Sequence, residues 1–182
     1  LTLQLLALMT LLSLLPALLL GMTSFIRIII VLSLLRQALG TMQTPPNRVL
    51  LGIALFLTLF VMEPVLTAVY DMAIFPYLNE EISIEAAIAA AEAPMRGFML
   101  NQTRQEDIAM FTEIAGDGPI AGPEEVPFSI LAPAFITSEL KSAFVIGFMI
   151  YIPFVILDLI VASVLMSMGM MMLSPMMISM PF

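Results

Sequence analysis

Apolar residues fall in four long runs along this chain, Leu3–Leu20, Phe25–Leu39, Val49–Val69 and Ser142–Met168, with the polar residues collected between them. A lipid-spanning helix needs about 20 mostly apolar residues to cross about 30 Å of hydrocarbon, and only the first and last runs meet that test cleanly. The second is short and holds Arg27 and Arg36. At about 3.6 residues per turn their spacing puts them on roughly opposite faces of a helix, so turning one inward cannot hide the other. The third run contains Glu63–Pro64, and the fourth Pro153 and Asp158. A charge at the bilayer centre costs about 2.5–3.5 kcal/mol even on mild scales. Helices this interrupted are expected to pack as hairpins against protein in a larger assembly, each charge needing a partner that one short chain does not supply.

The segment "GTMQTPPNRV", Gly40 to Val49, predicts a break: Gly ends a helix, Pro45–Pro46 forbid its continuation, and Arg48 sits at the next start. Between residues 71 and 130, Ser83 is the expected cap of an Ala-rich helix, "IEAAIAAAEA", ended by Pro94. Thr103-x-x-Glu106 reads as a capping box opening a second helix, and "GDGPIAGPEEVP" reads as a loop. The resulting division is an apolar hairpin region over 1–70, an acidic helical insertion over 71–130, and a C-terminal apolar helix with a Met-rich loop over 131–182.

Composition sharpens this picture. The 182 residues are 61% hydrophobic and 11% charged, with a mean hydropathy of +1.09. Soluble domains carry about 45–50% apolar and about 25% charged residues, so the chain is expected to be an all-α, membrane-associated protein. Eleven of the 14 acidic residues lie between Asp71 and Glu125, against only Arg96 and Arg104. Arg27, Arg36 and Arg48 flank the Pro-Pro loop, and the positive-inside rule then puts that loop in the cytoplasm and the acidic segment outside. No basic stripe suits nucleic acid. With no Cys and no His, disulfides, thiolate or imidazole metal sites and His-based catalysis are excluded, and no cofactor or metal is implied. The apolar start at Leu1 lacks the basic flank and cleavage site of a signal peptide, so a genuine helix is expected there. Sequence is expected to be missing at both ends.

Candidate chemistry is sparse. Tyr70–Asp71 and Gly116–Asp117 are distantly similar to the aspartate pairs of intramembrane proteases, but the second Asp falls in a turn without the required spacing; a helix end and a turn explain them. The serine of "GMTSF" has no partner base, so no enzyme is expected. "TSELKSAF", Thr137 to Phe144, has two readings. In one it is a helix start, with Thr137 or Ser138 as cap and Glu139 favoured by the helix dipole. In the other, Glu139 and Lys141 pair with other subunits; two positions apart, they point about 200° from each other and cannot form one intrachain pair. Asp158, inside an apolar run, is expected to be partnered or to face a pore.

"MSMGMMMLSPMMISM", Met166 to Met180, places eight methionines in 15 residues. Gly169 and Pro175 oppose a regular helix there, so a loop carrying Met170, Met171 and Met172 is expected. Several copies around an axis would form a soft apolar ring. Such a ring yields to variable contacts and, when closed, excludes water and ions by dewetting.

The stretches "MTSFIRIIIVLSLLRQALGTMQTPPNRVLLG", "EAPMRGFMLNQTRQEDIAMF", "PAFITSELKSAFVIGFMIYIPFVILDLIVASVLMSMGMMMLSP" and "PF" resemble the FliP family of flagellar type III export-gate subunits, related to the SctR subunits of injectisomes. The resemblance implies a cleaved signal peptide before Leu1 and a further hydrophobic segment after Phe182. It also implies five copies assembling with FliQ and FliR, with FlhB associated, in the bacterial inner membrane at the flagellar basal body and largely on its periplasmic side. Unfolded flagellar proteins are expected to pass through the centre. By the same resemblance Met170–Met172 match a methionine gasket and Glu139 an intersubunit glutamate. A small-solute or ion channel subunit, or a purely structural nucleus of a secretion apparatus, are the alternatives. A selective ion pathway should show convergent charges or carbonyl-lined Gly repeats, and a bare scaffold would not explain a clustered soft loop.

Overall fold

The computed structural model describes residues 2–41, 44–116, 122, 125–170 and 174–179. Among these the chain is helical: α1 (Thr2–Gly21), α2 (Phe25–Ala38), α3 (Asn47–Val69), α4 (Phe75–Leu78), α5 (Ile84–Gln102), α6 (Gln105–Ala115), α7 (Phe128–Ser167) and α8 (Pro175–Ser179). Three helical stretches are long and apolar enough to cross a membrane, Leu3–Gly21, Asn47–Leu78 and Phe128–Ser167. The middle one runs beyond the expected Val49–Val69, with Pro64 accommodated inside α3. A five-residue π-helical turn, Tyr70–Ile74, then carries α3 into α4 without a break.

The long α7 forms the spine, packing against α2, α5, α6 and α8. Its first half buries Ile130, Leu131, Ala134, Phe135, Ser138, Glu139, Ala143 and Gly147, recurring every three or four positions, the stripe of a helix packed on one side. On α3 the stripe is Leu50, Ala54, Thr58 and Met62, facing α2 and α5. Met99 of α5 with Val126, Ile130, Leu131 and Phe135 make the core, and Met22, Phe98, Ile108 and Phe111 pack around it. The core thus draws on residues either side of position 130, where α7 runs through uninterrupted. From Leu3 to Leu19, α1 is exposed along its whole length, and only its end touches the fold, where Gly21 lies against Ile136 of α7.

Several local expectations hold. Gly40 leaves α2 with a φ of 70°, Arg48 lies in the first turn of α3, and Ser83 Oγ accepts the Ala86 amide at 3.3 Å. Others are overturned. Pro94 lies inside α5, which runs on to Gln102 because Phe98 and Met99 anchor its second half in the core. The capping box does not form: α6 begins one residue later, after Arg104, and the Thr103 hydroxyl turns back to donate to the Met99 carbonyl at 2.7 Å. "TSELK" is no helix start either. It lies ten residues inside α7, whose cap position is Pro127, so a helix-dipole role for Glu139 lapses.

Candidate functional site

The polar side chains of "TSELKS" face three different elements. Glu139 is completely buried, and its Oε1 accepts from Arg27 Nη2 of α2. The same Arg27 nitrogen donates to Gln102 Oε1 at the end of α5, at 3.0 Å. A quarter turn away, Ser138 Oγ accepts the Arg104 amide at 3.0 Å and donates to the Gln102 carbonyl at 3.3 Å. Ser138 therefore splints the α5–α6 joint from outside, serving the helix start where the Thr103 box was expected. Lys141 Nζ, on another face of α7, donates to Asp107 Oδ1 of α6 at 2.7 Å, and Asp107 is 1% exposed. The angular separation expected of Glu139 and Lys141 is realised as two pairs to two helices.

Arg27 and Arg36 do sit on different sides of α2, and the chain itself supplies partners for both. Arg36 Nη1 donates to Asn47 Oδ1 at 2.6 Å and to the Pro45 carbonyl at 3.2 Å, tying α2 to the start of α3. The expectation that a lone chain leaves these arginines unmatched is thus corrected: the Pro-Pro loop folds back beside one and α7 beside the other. Asp158 is half-buried on the second half of α7 and engaged in an interaction. Among the described residues, Glu139 Oε2 and Asp107 Oδ2 are buried without a hydrogen-bond partner. A buried carboxylate oxygen in that state is costly, so these are places where further donors would be accommodated.

At the other end of α7 the chain leaves the helix through a Schellman motif. The Gly169 amide donates to the Met166 carbonyl at 3.1 Å, and the Met170 amide to the Leu165 carbonyl at 3.0 Å. Gly169 has a φ of +77°, which a side chain would strain, so glycine fixes the direction of exit. Met170 emerges 44% exposed. Met171 and Met172 lie outside the described residues. Asp71 sits exposed in the π-helical turn, Gly116 is the left-handed end of α6, and Asp117 lies outside the described residues. Among the described residues no group of three or more acidic side chains could hold a metal ion.

Three membrane-length helices, a buried polar joint and an exposed methionine turn define an all-α membrane protein whose specialised residues lie on helix ends and crossings. The FliP family profile matches residues 8–182, and the chain belongs to the FliP family. It is 58% identical over 182 residues to the flagellar biosynthetic protein FliP of Cereibacter sphaeroides, covering all of this chain and 60% of that protein. It is 60% identical to that of Pectobacterium carotovorum subsp. carotovorum, covering all of this chain and 70% of the relative. Identity to the Bacillus subtilis (strain 168) protein is 50% over 181 residues, covering 82% of it.

The Ser138 splint and the Asp107–Lys141 pair were missed from sequence. Asp107 stands directly after Glu106 of the expected box, and it is the packing of α6 on α7 that turns it inward to Lys141.

Proposed function

We propose that this chain is a core subunit of the flagellar type III export gate, in which five copies join FliQ, FliR and FlhB in the inner membrane. Unfolded flagellar proteins pass along the axis of that assembly. Met170, Met171 and Met172 of each copy form the ring that seals it, and the acidic 71–130 segment stands on the periplasmic side. Membership of the FliP family supports the export role. The observation that carries the gate reading is the Schellman exit, which presents Met170, the first of three consecutive methionines in the sequence, to solvent. Unbranched thioethers adapt to changing contacts, and a closed apolar ring excludes water. In the assembled gate the free Oε2 of Glu139 takes a basic residue of the neighbouring copy, while Oε1 remains with Arg27.

A photo-crosslinking residue placed at Met170 in cells exporting a stalled flagellar substrate tests the gate. Adducts between the two are expected. Adducts only to other gate subunits, with export intact, would point instead to a structural nucleus, and ion flux without substrate adducts to a channel.

A further inference from the structure

Glu63 lies at the middle of the 32-residue apolar stretch Asn47–Leu78, so any spanning segment of about 20 residues taken from that stretch includes it. The α3 part packs inward through Leu50, Ala54, Thr58 and Met62. At about 100° per residue, Phe56, Phe60, Glu63 and Tyr70 fall on the opposite side of the helix. All four are exposed, Phe56 by 77% and Phe60 by 75%. Pro64 has no N–H to offer the Phe60 carbonyl one turn back, so a backbone acceptor beside Glu63 loses its ordinary helical donor. A carboxylate and a carbonyl thus stand within one turn of each other on an aromatic face. Among the described residues no cation reaches Glu63.

Such a face suits neither solvent. In hydrocarbon the carboxylate is costly, and in water a continuous aromatic face is. A helix that covers the phenylalanines and brings a basic side chain to Glu63 satisfies both, wherever α3 stands relative to the bilayer. A second copy of this chain does not supply that side chain. Arg27, Arg96 and Lys141 are each paired with a carboxylate, and Arg36 is tied to Asn47 and the Pro45 carbonyl. Arg104 belongs to the α5–α6 joint, where it reaches Ser142 of α7 at 3.5 Å. Arg48 precedes Glu63 by 15 positions, about 22 Å along a helix, so matching the two would slide neighbouring copies by about four turns. We propose that the Phe56–Phe60–Glu63 face of α3 docks an apolar helix of a different polypeptide, which sets an arginine or lysine against Glu63. With three or more N–H donors, that group also reaches the Phe60 carbonyl. The rings supply contact area, and the charge pair fixes the register and excludes helices without a cation at that level. The proposal rests on the outer face of α3 and not on the gate reading.

The test places a photo-crosslinking residue at Phe60 of the full-length protein in its native cells, and the adduct is sequenced by mass spectrometry. The expected adduct is an apolar helical segment of another polypeptide, with Arg or Lys within one turn of the crosslinked position. That adduct should fall to background in Glu63→Lys and return when the partner's basic residue is changed to Glu. Glu63 lies away from the packed side of α3, so the Glu63→Lys variant should keep the parental helicity by circular dichroism. If that variant does not accumulate, Glu63→Gln, which keeps an acceptor without the charge, should lower the adduct part-way. An unchanged yield in either variant would overturn the proposal. So would no adduct, adducts to lipid alone, to a second copy of this chain, or to a segment without a basic residue.

Discussion

Glu139 on α7 and Arg27 on α2, 112 positions apart, form an ion pair whose carboxylate is wholly buried. Arg27 retains 29% side-chain exposure, so the pair has one wet and one dry end. Arg27→Ala strands the dry carboxylate and should cost about 3–5 kcal/mol, the range for breaking a buried pair. Replacing both partners, as in Arg27→Met with Glu139→Leu, should leave stability near the starting value, because buried pairs exchange for apolar packing at little cost. Thermal unfolding in detergent followed by circular dichroism reads both. An Arg27→Ala variant that melts with the parent would show that the pair contributes nothing.

That double variant also separates folding from assembly. If Glu139 serves a neighbouring copy through Oε2, the Met/Leu variant should keep its helicity yet give few rings on native gels. Rings at the parental yield would refute the intersubunit role.

The Glu92–Arg96 pair, one turn apart on α5, has similar chemistry in a wetter place. Its carboxylate is 46% exposed, so water competes with the arginine, and Glu92→Ala should cost no more than about 0.3–0.5 kcal/mol. An effect as large as that of Arg27→Ala would mean that burial does not rank these pairs.

At the crossing of α2 and α7, a Cβ added to Gly147 would overlap Leu34 Cδ1 and lie 3.2 Å from Leu34 Cβ and Cγ. The Cδ1 can swing aside, but the Cβ is fixed to the backbone. Gly147→Ala should therefore destabilise by about 1–3 kcal/mol through overpacking. Adding Leu34→Ala removes the distal atoms and should recover part of the loss. A double-mutant cycle with no coupling would place the strain elsewhere.

Ser83 caps α5, and Ser83→Ala should cost about 0.5–2 kcal/mol. Glu85, in the first turn, has its carboxyl held below the usual range, mainly by its backbone hydrogen bond and then by the Ser83 hydroxyl. A depressed folded value means that the ionised form supports the helix above the ordinary carboxylate range, and that this support is lost as the pH falls through the folded value. In Ser83→Ala the Glu85 value should move back up, as read by NMR titration. Glu106→Ala, by contrast, should leave the α6 start unchanged, since no capping box exists there to break.

If Met170, Met171 and Met172 seal a pore, changing all three to Ala should leave assembly intact but admit ions, because the gap becomes too wide to dewet. Leu at the three positions should keep the seal and slow bulky substrates. Simple core packing predicts the reverse: about 2–5 kcal/mol lost per buried Met and poor assembly, with no leak. Conductance normalised to assembled complex distinguishes these. A triple-Ala assembly at normal yield that stays tight would remove the methionines from the gate.

The sequence by itself determined the features that depend on neighbours along the chain. Long apolar runs can satisfy their backbone within one segment only as helices, a glycine with positive φ ends α2, Ser83 reaches the amide three residues on, and Gly169 turns the chain out of α7. Each is decided within one or two turns, where local sterics and hydrogen bonds suffice. Tertiary structure alone decided which of several local options prevailed. Both Pro94 and "TSELK" looked like boundaries, yet core packing carried α5 past one and α7 through the other. Thr103 offered a cap, but its hydroxyl turned back to Met99, and the Arg104 amide beside it found Ser138, 34 positions on. Arg27 found Glu139 and Lys141 found Asp107 because the crossing of α2, α6 and α7 places them in contact. Such pairings follow from the global fold: burial makes an unmatched charge far more costly than any local preference, so long-range partners are selected at the crossings.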